Sequence, residues 1–172
     1  MDELAASTLI PLDQADPAEI EHLLDLAFGP GRQGRTAYKI REGTECLPAL
    51  CFAAYDEAGR LVGTIQAYPV ALTDPAGRAH PLIMVGPVAI HPERQGQGFG
   101  RALMAAQAAA IDPAAPLPQV LIGDAPYYAR FGFVEAPRGW SCPGPWDPER
   151  LLIRGANPAV LPQEGMLGPW PD

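Results

Sequence analysis

With 172 residues and 48% hydrophobic side chains, the chain has the size and apolar content of one ordinary domain with its own core. A net charge of −8, with the basic residues scattered rather than clustered, excludes nucleic acid and anionic membrane surfaces as expected partners. Cys46, Cys51 and Cys142 are odd in number and lack ligand spacing, which excludes a disulfide framework and a metal site from the expectations.

Met1-Asp2-Glu3-Leu4 lacks the basic start and apolar stretch of a signal peptide, and no long apolar run follows, so a soluble cytoplasmic protein is expected. Thr8 to Leu12 is a short apolar run that reads as a strand. Asp16-Pro17-Ala18-Glu19 reads as a helix start, with Asp16 as N-cap, Pro17 as first helical residue and Glu19 as the N3 carboxylate. Ile20, Leu23, Leu24, Ala27 and Phe28 recur at helical spacing up to a stop at Gly29-Pro30. Gly29 to Gly43 is rich in glycine and arginine and is expected to be an irregular or partly helical connection bordering a ligand site.

Leu50 to Tyr55 and Leu61 to Val70 are β-favouring runs joined by Asp56-Glu57-Ala58-Gly59-Arg60, the pattern of a hairpin. A second turn at Thr73 to Gly77 leads to a third strand, Leu82 to Ile90. Pro87 inside that strand cannot donate to a ladder, so the strand is either at an edge or bulged there. A glycine-rich stretch then opens into a helix, Arg101 to Ile111, built of strong helix formers. Asp112 to Pro118 is expected to be an extended connection, Gln119 to Ile122 a buried strand, and Pro126 to Phe131 a short helix closed by Gly132. From about residue 134 the chain is rich in proline, glycine and tryptophan, and only Leu151 to Arg154 reads as a strand.

Gln95-Gly96-Gln97-Gly98-Phe99-Gly100 stands between a strand and a helix, where first-turn amides lack partners and the helix dipole favours an anion. Glycines there let a phosphate approach the backbone. A nucleoside-triphosphate loop needs Gly-Lys-Ser/Thr, and the single lysine, Lys39, is far away. A dinucleotide fingerprint counted from Gly96 puts Arg101 where the last glycine belongs, with no repeating βαβ units around it. A tight turn without a ligand is the plain alternative.

The pattern Q/R-x-x-G-x-G/A is met by Gln95, Gly98 and Gly100, and here the chain resembles the GNAT acetyltransferases. Val85-Gly86-Pro87-Val88-Ala89-Ile90-His91-Pro92-Glu93 is similar to that family's bulged fourth strand. Tyr127-Tyr128-Ala129-Arg130-Phe131-Gly132-Phe133 is similar to its tyrosine-bearing helix, and Gly123-Asp124 with the double tyrosine resembles the YhbS-like branch. The resemblance covers roughly Thr8 to Phe133. It implies an α/β (α+β) fold of one domain over residues 1–172, with a mixed, mostly antiparallel sheet, a splayed, bulged fourth strand and flanking helices.

The resemblance further implies an N-acetyltransferase that moves the acetyl group of acetyl-CoA to a primary amine by direct attack in a ternary complex. Val88, Ala89 and Ile90 correspond to the strand that pairs with the pantetheine arm, with amides near Val88 polarising the thioester carbonyl. Gln95, Gly96, Gln97, Gly98, Gly100 and Arg101 correspond to the pyrophosphate loop, flanked also by Arg94. Tyr128 occupies the position of the general acid that protonates the leaving thiolate. His91, His80, Glu42 and Asp124 are candidates by residue type for the base, and each also reads as a capping or surface residue. The rival reading is an acyl-CoA-binding sensor without turnover. The C-terminal segment reads as the last strands and a covering tail, with a lid over the acceptor site or a homodimer contact as alternatives.

Overall fold

The computed structural model describes residues 8–114, 116–155 and 161–171, so Ala115 of the expected connection and Met1 to Leu4 lie outside them. In chain order the elements are β1 (Thr8–Pro11), α1 (Pro17–Phe28), α2 (Thr36–Ile40), β2 (Phe52–Tyr55), β3 (Leu61–Thr73), β4 (Ala79–Ile90) and α3 (Phe99–Ala110). They continue with β5 (Gln119–Ile122), α4 (Ala125–Tyr128), β6 (Val134–Glu135), β7 (Gly139–Ser141), β8 (Leu151–Arg154) and β9 (Glu164–Pro169). The mixed, mostly antiparallel sheet and flanking helices are those expected from the sequence.

The chain divides into two compact units, one within Met1–Gln33, Cys46–Ala67 and Gly86–Pro113, the other within Gly34–Glu45, Tyr68–Val85 and Ala114–Asp172. In the first unit β1 pairs antiparallel with β2, and β2 with the start of β3. Asp16 caps α1 by accepting the Ala18 amide at 2.9 Å, and Pro17 costs nothing at the first helical position because that amide has no helical partner. The helix buries Ile20, Leu23 and Leu24 against Leu12, Ala53 and Ala89. Helix α3 is pinned by Gln107, which is fully buried and donates from Nε2 to the carbonyls of Leu50 at 2.9 Å and Gln66 at 3.2 Å. Gly63 admits this close packing, because a Cβ there would stand 3.0 Å from Leu103 and 3.1 Å from Ile90.

In the second unit β4 runs parallel to β5, with Ile83 opposite Gln119 and Met84 opposite Val120. Strand β8 lies antiparallel to both β5 and β6. Strand β9 pairs antiparallel with the end of β3 and parallel with β7. The core gathers Ile40, Leu72, Leu82, Met84, Val120, Trp140, Leu151 and Leu167. Trp140 is 1% exposed and satisfies its indole N–H on the Pro162 carbonyl at 2.9 Å.

Three expectations need correction. Helix α3 starts at Phe99, not Arg101, because Gly98 adopts the left-handed conformation (φ 92°) and caps the helix, while Phe99 buries in the first turn. Strands β3 and β4 are longer than their apolar runs, reaching Thr73 and starting at Ala79. Strands β6, β7 and β9 were not legible: β9 contains Gly165, Gly168 and Pro169, a composition that disfavours strands, and pairing with β3 and β7 overrides it. The proline-rich segment thus supplies four strands of the second unit.

The β3–β4 turn is organised by Asp74, whose carboxylate accepts the amides of Ala76 and Arg78, both at 3.0 Å, and faces His80 Nε2 at 2.9 Å. The His80 hydrogen bond, first, and the Arg78 amide, second, lower its pKa from 3.8 to about 2. A carboxyl group held below its unfolded value stabilises the fold fully above pH 3.8, and that contribution is lost as pH falls through 2. Asp74→Asn is therefore expected to melt below the parent at pH 6, with the difference shrinking as pH approaches 2. Thermal melts of both proteins between these limits check it.

Candidate active site

The end of β4 and the start of α3 lie in the first unit and carry most of the residues singled out in the sequence. Gly86 has φ 126°, Pro87 lacks an amide, and the run of four buried residues from Leu82 to Val85 gives way at Gly86, Pro87 and Val88, all half-buried. Ala89 is fully buried, and Val88 and Ile90 are half-buried. Between the strand and the helix, Gly96 (φ 78°) and Gly98 (φ 92°) both take left-handed backbone that an L side chain resists. Gly98, the N-cap residue, has no side chain to cap α3, so the amides of its first turn, including Gly100 and Arg101, receive no acceptor from the cap position. That leaves three aligned donors and the positive end of a twelve-residue helix dipole available for an anion.

Arg94 does not face this space as a free cation. Its guanidinium reaches Asp56 at 3.2 Å and Glu57 at 3.0 Å, and stands 5.5 Å from the Phe99 ring. Asp56 is the hub of the β2–β3 turn: it accepts the amides of Ala58 and Arg60, both at 2.9 Å, and meets the Arg60 side chain at 3.3 Å. The Arg60 amide is the main cause lowering its pKa, opposed by burial and helped by the Ala58 amide and the charges of Arg60 and Arg94. The hairpin thus anchors the residue immediately before Gln95. Sequence reading sees Asp56 only as a turn residue, because nothing local marks a partner in the next loop but one.

Tyr128 lies in the second unit. Asp124 caps α4 by accepting the Tyr127 amide at 3.2 Å, and Gly132 (φ 89°) closes the following turn. The Tyr128 ring is half-buried against Tyr127 at 5.0 Å, Phe133 at 6.0 Å and Phe131 at 6.2 Å between centroids. Burial, first, and the neighbouring Tyr127, second, raise its pKa from 10.0 to about 12. The planes of the two tyrosines cross at 89°, an edge-to-face contact. Gly123 seats the ring: a Cβ there would stand 2.6 Å from Cε2 of Tyr128. Arg154 steadies the end of the segment, donating to the Phe131 carbonyl at 2.9 Å with its guanidinium 4.6 Å from the Phe133 ring.

The base candidates have structural work. Asp124 is a helix cap, His80 belongs to the Asp74 turn, and His91 Nδ1 accepts the Glu93 amide at 3.1 Å. Glu42 is exposed. A cavity of about 640 Å³ in the first unit is lined by Glu19, His22, Leu23, Val62, His91 and Arg94, among others, and includes none of Gln95 to Arg101. Among the described residues no group of three or more His, Cys, Asp or Glu is placed to hold a metal, and no helix is long and apolar enough to cross a membrane.

A sequence model of the acetyltransferase (GNAT) domain matches residues 48–135, just over half of the chain. The chain belongs to the GNAT acetyltransferases. The matched span of this GNAT chain runs from just before β2 to β6 and so contains β4, the glycine loop, α3 and Tyr128. Among solved structures, YhbS from Escherichia coli in complex with CoA is 23% identical, with a TM-score of 0.71 over 95% of this chain and 89% of that one. A GNAT family acetyltransferase from Brucella melitensis in complex with acetyl-CoA is 25% identical, with a TM-score of 0.54 over 87% of this chain and 96% of that one. Naa20 from Chaetomium thermophilum in complex with a bisubstrate analogue shares the fold at 17% identity and a TM-score of 0.53, over 86% and 85% of the two chains. A comparison with curated proteins gives no match.

Two outcomes follow for this GNAT chain. Asp56→Asn leaves Arg94 with one carboxylate and is expected to loosen the loop that follows, costing about 1–3 kcal/mol of stability and weakening CoA binding several-fold. Denaturant unfolding and calorimetry measure the two effects separately. Gly123→Ala forces the Tyr128 ring out of its seat at a cost of about 1–3 kcal/mol. Spectrophotometric titration is expected to show the phenol that ionises near pH 12 in the parent protein moving down towards its ordinary value of 10.0.

Proposed function

We propose that this single acyltransferase domain transfers the acetyl group of acetyl-CoA to a primary amine of a small molecule or protein, by direct attack in a ternary complex in the cytoplasm. The observation that carries this reading is the start of α3, which has no side chain at its cap position and is entered through left-handed Gly96 and Gly98 in the loop after β4. The diphosphate of CoA is the anion such a start accepts: the amides of Gly98, Phe99, Gly100 and Arg101 donate to it, and Gln95, Gly96 and Gln97 wrap it. Val88, Ala89 and Ile90 offer backbone to the pantetheine arm in the manner of an added strand. An amide near Val88 polarises the thioester carbonyl as the tetrahedral intermediate forms.

The amine attacks only when neutral. A lysine-like amine with pKa near 10.4 is mostly protonated at pH 7, a deficit of roughly three pK units or ~4 kcal/mol that a base or water chain has to supply. As the intermediate collapses, the C–S bond breaks and CoA leaves as a thiolate, to which Tyr128 donates. Its pKa of about 12 refines that role. An ordinary thiol ionises near 8.5, so full transfer from this phenol is uphill by roughly three to four units. Tyr128 therefore stabilises the departing sulfur by a hydrogen bond, and solvent completes protonation.

Acetyl-CoA is expected to raise the melting temperature, because a ligand confined to the native state stabilises it by mass action, whereas dinucleotides leave it unchanged. Gly98→Val, which puts a β-branched residue at φ 92°, is expected to abolish that shift. An undiminished shift in the variant overturns the loop assignment. Affinity for CoA without thiol release from acetyl-CoA, across a panel of amines, is the result that favours a sensor. Tyr128→Phe keeps the ring and is expected to lower kcat by roughly ten- to a hundredfold, with the KM for acetyl-CoA unchanged. Tyr127→Phe is expected to be milder. Steady-state kinetics on the three proteins decide, and full turnover in Tyr128→Phe with chemistry rate-limiting removes the assigned role.

A further inference from the structure

The second unit holds a cation that the reading above does not use. Arg41 ends α2, and its guanidinium carbon lies 4.1 Å from the Tyr38 ring centroid and 3.8 Å from that of Tyr68. The planar group is therefore covered by aromatic rings of both α2 and β3. Its backbone is fixed as well: the Arg41 carbonyl accepts the Thr44 amide at 3.0 Å and the Thr44 hydroxyl at 2.7 Å.

The rim of the guanidinium is a different matter. Arg32, Arg60, Arg78, Arg94 and Arg138 each pair with a carboxylate in a chain of net charge −8. Among the described residues none forms an ion pair with Arg41, and none accepts a hydrogen bond from its guanidinium. Ordering a long arginine side chain opposes about 2 kcal/mol of rotamer entropy. Here cation–π contact supplies that order. The result is a fork of parallel N–H donors held in place before any partner arrives, which is the geometry that matches a carboxylate.

Placement ties the fork to the chemistry of the same unit. Tyr68 and Ile122 pack against one core cluster, which includes Met84 and Val120. Ile122 ends β5, and Gly123, the Asp124 cap and Tyr128 follow it directly. The ring clamp and the strand that leads into the tyrosine-bearing segment thus rest on shared core residues.

We propose that Arg41 recognises a carboxylate on the acetyl acceptor, so that the acceptor is an amino-acid-like molecule bearing both a primary amine and a carboxylate. This rests on the acetyl-transfer reading and narrows its substrate class. A zwitterionic acceptor also escapes the repulsion that an acidic chain exerts on free anions, because its ammonium offsets its carboxylate during approach.

The test measures thiol release from acetyl-CoA with L-leucine, L-phenylalanine and 4-aminobutyrate, against leucinamide, phenylalaninamide, butylamine and O-phosphoethanolamine. The wild type is expected to use the carboxylates with kcat/KM about ten- to a hundredfold above their counterparts without a carboxylate, the span of one charge-assisted hydrogen-bonded pair. Arg41→Gln is expected to bring that ratio close to one, mainly through the KM of the amine, while the KM for acetyl-CoA stays unchanged. Arg41→Lys, which keeps charge and ring contact but loses the fork, is expected to fall between. Equal use of both classes by the wild type, an intact ratio in Arg41→Gln, or selection of O-phosphoethanolamine alone overturns the proposal. Saturation-transfer NMR with the same compounds separates the two layers: carboxylate binding that depends on Arg41 without turnover leaves the site standing and removes acetyl transfer. Turnover indifferent to the carboxylate removes the site alone, and neither binding nor turnover removes both.

Discussion

The amides at the start of α3 have no acceptor on their own helix, and the N-cap residue, Gly98, has no side chain to cap them. Much of the first unit can be understood as holding that arrangement open. Gly96 and Gly98 turn the backbone through conformations that keep side chains out of the way. Arg94, gripped by Asp56 and Glu57, ties the entry of the loop to the β2–β3 turn. Gln107 does the same for the body of the helix, with two hydrogen bonds onto β3 and the turn before β2. The donors are thus fixed from both sides without being consumed, and a ligand meets them with little reorganisation left to do.

In the second unit the governing constraint is space beside Gly123. The missing Cβ lets Tyr128 lie against the strand, and the same burial that positions the ring makes its phenol a weaker acid. Position and acidity therefore pull in opposite directions. A hydroxyl that stays protonated over the whole neutral range is a dependable hydrogen-bond donor, and the structure trades proton-transfer power for that constancy.

Most of the elements up to Gly132 were legible because local chemistry and tertiary packing agree there. Asp16-Pro17 marks a helix start by capping alone, and β5 and α4 are bounded by the proline-rich connection and Gly132. The glycine loop was legible because few functions require three alternating glycines from the end of a strand into the first turn of a helix. What escaped was non-local. Asp56 reaches Arg94 across two strands, Arg41 meets Tyr68 only once β3 is in place, and β9 is a strand because of its partners rather than its residues. Each of these is a pairing that no window of sequence contains.

The pairing of β9 has a kinetic side. Leu72 lies opposite Leu167, so β3 acquires this neighbour from about a hundred residues further along the chain. Closing so long a loop has to precede any gain from the ladder, and contacts of this separation form late in folding. Until then Val70, Ala71 and Leu72, all nearly fully buried in the native state, present an unpaired apolar edge. Such an edge invites strands from other chains. Recovery of this protein from denaturant should thus be governed by dilution, because at high concentration the vacant edge meets a neighbouring molecule before its own distant partner.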